Sequence, residues 1–453
     1  MDYQKLKNQY SEDYNRLNKK YNLISTLRLL VTITLVFLIY KSFKTSDIIF
    51  ILFSVSVFIC FILLLKIHEK ISWNRKIKKY LISINNDEII YLKREGIPFE
   101  NGAEYVDFKH FYSFDLDFFG TNSLFQNLNR TATYIGSKKL SELLLTLLEN
   151  NEIKSNQQAI NELSKKIEWR QYLLSLAKIT KDSKNNYKKL IDWTEAKQEK
   201  ISKLLNIIFY ITPIVFIVSI ITNILTNNPF FTYTAFTFFL INLALAVTQL
   251  KKIKREIIDS DKISEIVKQY GLIIEKIENE KFDSKKLNLL KEKLIYKSGL
   301  ASTQIKKLSS LFSNMQSIQN AMAAILFNGA FLYHIHTLNT LLNWKKEYSK
   351  HIKEWLEIIG EFETLNSLAN FSYNNPTFIF PDLNKNYEII LEELGHPLIQ
   401  KEKRICNDVE FKENNFIILT GSNMSGKSTF LRTLGINMVL AGIGSPICST
   451  KAN

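Results

Sequence analysis

Between Lys203 and Lys251 the chain carries no Asp, Glu, Lys or Arg. Roughly twenty apolar residues cross a bilayer as a helix. A run of this length either spans a membrane twice or disappears into a pair of core helices. Asn227-Asn228-Pro229 interrupts it with a turn signal, which predicts two helices over 204–225 and 230–250. Pro213 is expected to kink the first, which membranes tolerate. A similar pair lies near the start. Residues 48–65 hold no charge, and 23–40 are apolar apart from Arg28 and a few hydroxyls. Arg28 sits near the end of its run, where it can snorkel to the headgroups. The link over 41–47 is short, so this pair also reads as a transmembrane hairpin.

Flanking cations set the orientation. Arg16, Lys19 and Lys20 precede the first span, and Lys66, Lys70, Arg75, Lys76, Lys78 and Lys79 follow the second. Lys197, Lys200 and Lys203 precede the third, and Lys251, Lys252, Lys254 and Arg255 follow the fourth. All four flanks are therefore expected on the cytoplasmic side of a bacterial inner membrane, with Lys41 and Lys44 weakly opposing. The polar N-terminus is long and no small-residue cleavage site follows the first span, so no signal peptide is expected. A third apolar stretch, 321–333, is short and holds Asn328, and it reads as a buried helix. His334 and His336 follow it at a spacing that sends them to different helix faces, which disfavours a metal site.

The remaining segments read as soluble and mostly helical. Residues 124–148 repeat leucine at helical spacing through Leu140, Leu143, Leu144, Leu147 and Leu148. Residues 153–177 continue in the same style. Ile263, Ile266, Tyr270, Ile273 and Ile277 mark another amphipathic helix, with Lys262, Glu265, Lys268, Glu275 and Lys276 on its wet side. Beyond residue 370 the texture changes to loop signals and shorter β-type runs at 387–391 and 416–420. The expected division is a tail with the first hairpin at 1–85, a helical segment at 86–203 and the second hairpin at 204–250. A second helical segment follows at 251–372, then an α/β domain beginning at 373. The 453 residues carry a formal net charge of +15. That balance favours nucleic acid or an anionic membrane surface as a partner. Abundant Lys, Asn and Ile, as an AT-rich genome produces, also account for it. Cys60, Cys406 and Cys448 fit neither a zinc site nor a disulfide framework, which suits a reducing compartment.

The chemistry concentrates at Gly421-Ser422-Asn423-Met424-Ser425-Gly426-Lys427-Ser428-Thr429, a full match to the phosphate-binding loop G-x-x-x-x-G-K-[ST]. The β-type run precedes it, and Phe430, Leu431, Leu434 and Met438 follow at helical spacing. Glycine lets the backbone wrap phosphates without a Cβ clash. Amides and dipole at the helix start favour the anion. Lys427 is the residue for the β- and γ-phosphates, and the Ser428 hydroxyl is a ligand for Mg²⁺. ATP and Mg²⁺ are thus the expected cofactors. An ATPase also needs an acidic residue at the end of a second strand. No apolar run ending in Asp-Glu occurs. The expectation is a chain cut short after this loop, which binds ATP and hydrolyses it negligibly.

The stretch 419–432 around that loop, with Leu440-Ala441-Gly442-Ile443-Gly444-Ser445, resembles the start of the ATPase domain of MutS proteins. Asn423-Met424 inside the loop is the specific part. Gly395-His396-Pro397-Leu398 and Asn407-Asp408-Val409 are similar to further pieces of that domain. Residues 123–136 and Gln157-Gln158-Ala159-Ile160 resemble the opening of the MutS core, and 361–369 the helix leading out of it. The resemblance covers 115–200 and 251 onward, with the second hairpin inserted between. It implies a mainly α-helical, membrane-anchored core joined to the start of an α/β P-loop ATPase domain. It also implies dimerisation through the ATPase domain. The mismatch-reading domain has no counterpart. Phe411-Lys412-Glu413 matches its Phe-x-Glu wedge only in the wrong context. Arg404 stands where the family has an aromatic against adenine, and Arg also stacks on a base.

Three functions follow. The first is an ATP-driven DNA clamp at the membrane, related to mismatch-repair proteins. The second is a membrane-anchored ATPase switch acting on a protein partner. The third is an ABC-type transporter. Few spans, long soluble segments between them and the lack of charge within the spans count against the transporter.

Overall fold

The computed structural model describes residues 2–453 except 46, 198–200, 258–260, 297–298, 385–387, 413–417 and 423–424, with backbone only at 203, 261 and 262. It is mainly helical. Helices α1 (Tyr3–Thr45) and α2 (Ile48–Leu92) form an antiparallel pair. Each is about twice as long as the span expected from its apolar run. Asp47 caps α2 by accepting from the Ile49 amide at 2.9 Å. The most apolar 18-residue window of each helix has no buried residue. The other halves are joined by polar contacts and then enter the core. Arg28 Nη1 lies 2.9 Å from His68 Nδ1, Arg75 stacks 3.7 Å over Tyr21, and Lys78 pairs with Asp13 at 2.8 Å. Leu6, Tyr10, Ile77 and Leu81 are part of the core.

The run 124–148 is not one helix. It divides into α3 (Leu124–Leu128) and α4 (Tyr134–Leu144), and Leu147 is exposed. The break has a tertiary cause. The buried Glu363 carboxylate accepts from the Ala132 amide at 2.9 Å and from the Thr133 amide and hydroxyl. Thr133 in turn caps α4 through the Gly136 amide at 3.0 Å. Gly136 leaves no room for a Cβ beside Glu363. The run 153–177 likewise divides into α5 (Asn150–Lys165) and α6 (Ile167–Ala177), at Lys166 with φ −100° and ψ 51°.

Helix α7 (Lys184–Glu195) leads to α8 (Lys203–Thr226) and α9 (Pro229–Glu256). Helix α8 runs continuously through Pro213 and ends where Asn227 turns left-handed at φ 49°. Asn228 then caps α9 at the Phe230 amide, with Pro229 in the first turn. Thus, among the described residues, four helices are long and apolar enough to cross a membrane. Helix α10 (Asp261–Glu278) buries Ile263, Ile266, Tyr270, Ile273 and Ile277, as its periodicity requires. Helix α11 (Lys285–Glu292) and the short ladder β1 (Ile295–Tyr296) with β2 (Gly299–Leu300) lead to α12 (Ala301–Gln316).

The stretch expected as a buried helix is α13 (Ala321–Phe331), and it is not buried. Met322, Ile325, Leu326, Phe327 and Phe331 are exposed, whereas Asn328 and Gly329 are buried. Helix α14 (Tyr333–Asn374) leaves it at 83° and has 42 residues, about 63 Å at 1.5 Å per residue. His334 turns to Asn328 and Ser317, and His336 packs on Tyr210. No three metal-ligating side chains gather among the described residues.

The C-terminal part is smaller. Strands β3 (Ile389–Leu394), β4 (Asn407–Phe411) and β5 (Lys451–Ala452) form an antiparallel sheet in the order β4-β3-β5. Leu391 faces Val409 and Ala452, and a bulge lies between Leu391 and Leu394. Helix α15 (Lys427–Gly442) is tied to the end of β3, where Asn437 donates to the Gly395 carbonyl at 3.0 Å. Among the described residues no strands pair in parallel, so the sheet expected of an α/β P-loop domain is not present there. Of the β-type run at 416–420, residues 416 and 417 lie outside the described residues. Residues 418–420 form no strand and are exposed.

A buried polar cluster ties these parts together. Glu88 of α2 accepts from Arg130 Nε and, at 3.2 Å, Nη2. Its two oxygens also accept from Asn370 and Asn374 of α14 at 2.9 and 3.0 Å. The Tyr3 hydroxyl donates to Asn374 at 2.7 Å, and Arg170 donates to Asn370 at 2.8 Å. Removing one partner of a buried pair leaves a charge without compensation. Glu88→Ala is therefore expected to cost about 3–5 kcal/mol. Removing the exposed Glu12 that pairs with Arg16 should cost less than about 1 kcal/mol. Thermal unfolding in detergent checks both.

Glu363 adds a pH dependence. Burial pushes its carboxyl up to about 7 from the usual 4.5, against the lowering effect of its bonds from Thr133 and Ala132. Across that window the unfolded state binds fewer protons than the folded state, so stability falls as pH rises. Relative to Glu363→Gln, the wild type should lose up to about 3 kcal/mol between pH 4.5 and 7 and nothing further above. Melting temperatures across that range test this.

Candidate nucleotide site

The loop residues lie at the exposed start of α15. Gly426 precedes the helix at φ +88°, a conformation that disfavours a side chain. Lys427 opens the helix and folds back over the loop. Its ammonium donates to the Gly421 and Ser422 carbonyls, both at 2.6 Å. The Ser425 amide closes the turn onto the Ser422 carbonyl at 3.3 Å. Ser428 and Thr429 stand exposed in the first turn. Asn423 and Met424 lie outside the described residues. No acidic residue occupies the first turn, so nothing there repels an anion. The start of a 16-residue helix with a lysine at its first position can attract an anion by dipole and charge. The donors fit a polyphosphate. The metal fits less completely, since this loop offers Mg²⁺ one hydroxyl, that of Ser428.

Helix α15 is held from behind by residues the sequence reading did not assign to the site. Asn437 Nδ2 donates to the Gly395 carbonyl at 3.0 Å, and its oxygen accepts from the Cys448 amide at 2.9 Å. Arg432 pairs with Asp117 at 2.6 Å and donates to the Asp115 carbonyl at 3.1 Å. Gly435 packs against Leu116 closely enough to exclude a Cβ. Farther along, Asn156 donates to the Ile443 carbonyl at 2.9 Å, and the Leu148 amide to Gly442 at 3.2 Å. The loop therefore rides on a helix bolted to the helical core. A lone Asn inside a helix gives no sequence signal for this role. The adjacency of Gly395 and Cys448 to α15 exists only after folding.

Arg404 is also committed. It donates to the Ile399 carbonyl through Nε at 3.1 Å and Nη2 at 2.7 Å, and to Cys448 Sγ at 2.8 Å. Its guanidinium lies 5.3 Å over Phe378. It lines an open cavity of about 460 Å³ with Tyr91, Asn375 and Phe378. Burial, with Arg404 and Arg432 nearby, pushes the His396 imidazole below its usual range.

Among curated proteins, the chain is 36% identical over 114 residues to the DNA mismatch repair protein MutS of Clostridium botulinum strain Okra. The same protein of strain Hall matches equally. The match covers 24% of this chain and 12% of each relative. MutS of Methanosarcina barkeri is 32% identical over 129 residues, 27% of this chain and 14% of that protein. No family model matches the chain. The partial similarity supports a MutS-related family, and the matched part spans only about an eighth of those relatives' length.

Asn437→Ala removes both bridges and leaves a buried amide and a buried carbonyl without their partner. It should lower stability by about 1–3 kcal/mol, read as an earlier thermal transition.

Proposed function

We propose that the chain is a membrane-anchored, MutS-related nucleotide switch. It binds ATP with Mg²⁺ on residues 421–429 and drives a clamp on DNA at the cytoplasmic face of a bacterial inner membrane. The observation that carries this reading is the continuity between the loop and the apolar helices. The loop sits on α15, α15 is fixed to the core, and the core is threaded by α14, which reaches the apolar hairpin α8–α9. In this reading the amides around Gly426 and the ammonium of Lys427 hold the β- and γ-phosphates. Lys427 exchanges the Gly421 and Ser422 carbonyls for phosphate oxygens. The Ser428 hydroxyl gives one ligand to Mg²⁺. When bound, the nucleotide supplies a charged γ-phosphate whose presence or loss reorders the loop. Two chains meeting through their ATPase parts would complete each other's sites.

The basic balance of the chain, a formal net charge of +15, supports DNA contacts made through phosphates. A second reading has a specific observation behind it. The +15 is the balance of 59 Lys and Arg against 44 Asp and Glu in a Lys-rich sequence, so the same switch acting on a protein partner is equally compatible with it. One experiment separates them. In detergent, Lys427→Ala should weaken retention of labelled Mg-ATP about tenfold or more, near 1.4 kcal/mol, with the apolar hairpins untouched. Equal retention by both chains overturns the nucleotide site. DNA binding should fall steeply with salt, as phosphate contacts require, and should differ little between paired and mismatched duplex. A hundredfold preference for the mismatch, about 2.7 kcal/mol, overturns phosphate-only readout. No salt-dependent binding leaves the protein-partner reading.

A further inference from the structure

Helix α13 has its polarity inside out. Met322 is 75%, Leu326 57% and Ile325 51% exposed, while Asn328 is 4% exposed. A helix bathed in water arranges these residues the other way. The inward polar groups pair with one another, apart from Asn242 Oδ1, which is buried and has no hydrogen-bond partner among the described residues. Asn328 Oδ1 accepts from the His334 amide at 3.0 Å and lies 3.1 Å from His334 Nδ1. His334 Nε2 meets the Ser317 hydroxyl at 3.0 Å, and Asn242 donates to the Gly329 carbonyl at 2.8 Å. Irregular backbone and polar groups at membrane depth persist only when closed off in this way.

The contacts also fix a depth. Helices α9 and α14 run in parallel, since Asn242 meets Gly329, Ala246 clusters with Leu332 and Ile335, and Glu256 pairs with Lys345. Gly329 presses against the Phe239 ring, leaving no room for a Cβ. Lys251 opens the basic end of α9, and Asn242 and Phe239 precede it by nine and twelve residues. That is roughly 13–18 Å along the helix. Half the hydrocarbon core measures roughly 15 Å. No Asp, Glu, Lys or Arg occurs between Lys307 and Lys345, the whole stretch that would lie at such depth. The exposed face of α13 continues the exposed apolar surface of α8 and α9, which it touches.

We propose that α13 and the first two turns of α14 form a re-entrant membrane element. It enters the hydrocarbon of the cytoplasmic leaflet beside α8–α9 and turns back at Leu332, and its exposed face is solvated by acyl chains. The inference rests on the reading of α8 and α9 as spans. It makes the root of α14 a part of the membrane domain, so the helix that crosses the core begins among lipids.

Nitroxide labels test it in the full chain, with the exposed Cys60 and Cys406 changed to Ala and the protein in phosphatidylcholine–phosphatidylglycerol vesicles. Single labels go at Met322, Ile325 and Phe327, with Ile214 of α8 as span control and Glu354 of α14 as water control, all exposed positions. Collision with oxygen reports hydrocarbon, and collision with a nickel chelate reports water. The expected result is loss, at the three α13 sites, of the nickel collisions seen at Glu354, with oxygen collisions matching Ile214. Nickel access on α13 with Ile214 protected overturns the re-entrant element and leaves the spans standing. Protection from both reagents also overturns it, because a second copy then covers this face. Nickel access at Ile214 as well overturns the span reading and this inference together.

Discussion

Glu88 is the point on which the assembly depends. A carboxylate taken from water loses several kcal/mol of hydration and stays charged only if its surroundings replace that hydration. Here the replacement comes from three places distant in sequence. Arg130 supplies the opposite charge, Asn370 and Asn374 supply amide donors, and Tyr3 closes the cluster from the far end of α1. Arg130 itself lies 3.4 Å over the Phe99 ring. None of these groups can leave without stranding another. The cluster therefore locks the foot of the first apolar hairpin to the end of α14, where the chain passes toward the phosphate loop. Such a network is poor as a source of net stability and good at excluding other arrangements.

The two hairpins grip α14 at different heights. Helix α9 holds its beginning, with Lys345 and Trp193 sharing the Glu256 carboxylate at 3.3 and 3.0 Å. Helices α1 and α2 hold its end through Glu88 and Tyr3. Between these grips Glu363 reaches out to break the 124–148 run and cap the segment before α4. The helical core is thus organised around one long helix, and each apolar hairpin is a brace on it. Helical propensity alone does not sustain a helix of this length in water. The packing along its sides does.

The parts legible in the sequence were those whose physics is local. The charge-free run at 204–250 and its Asn-Asn-Pro turn gave α8 and α9 within a few residues, because neither feature depends on distant contacts. The pattern at 421–429 was readable from its spacing, and the fold puts Lys427, Ser428 and Thr429 in the first turn of α15. The polar halves of α1 and α2 were missed because mixed Lys, Asn and Tyr patterns carry a helix only when packed. The helical stretch 124–148 is interrupted because Glu363, more than 200 residues away, bonds the Ala132 and Thr133 amides between α3 and α4. The reading of 321–333 as buried failed for a different reason. Its apolar composition was right, but composition does not say which side faces protein. Asn328 faces inward because His334 and Ser317 wait there. The site's supports, Asn437, Arg432 and Asp117, were illegible because their partners come together only in the fold.

The path between the loop and the apolar hairpins is short in contacts even though it is long in distance. After α14 the chain turns at Asn374, and Ile379 makes an antiparallel bridge to Ile447, just beyond α15. Cys448, next to Ile447, accepts from Arg404 and donates its amide to Asn437. The far end of α15 is therefore hydrogen-bonded to the continuation of α14, and its near end carries the loop. Close-packed interiors shift between discrete arrangements and do not deform smoothly. A phosphate that pulled Lys427 away from Gly421 and Ser422 would load α15 at its first turn. The Asn437 and Ile447 contacts would pass that load to the end of α14. The Glu88 cluster sits at the same place and also holds both helices of the first hairpin. Any displacement there must be shared between the lever helix and the hairpin that braces it. In the proposed reading the two apolar hairpins would therefore be more than tethers, since each is fastened to one end of the helix that a nucleotide on the loop would load.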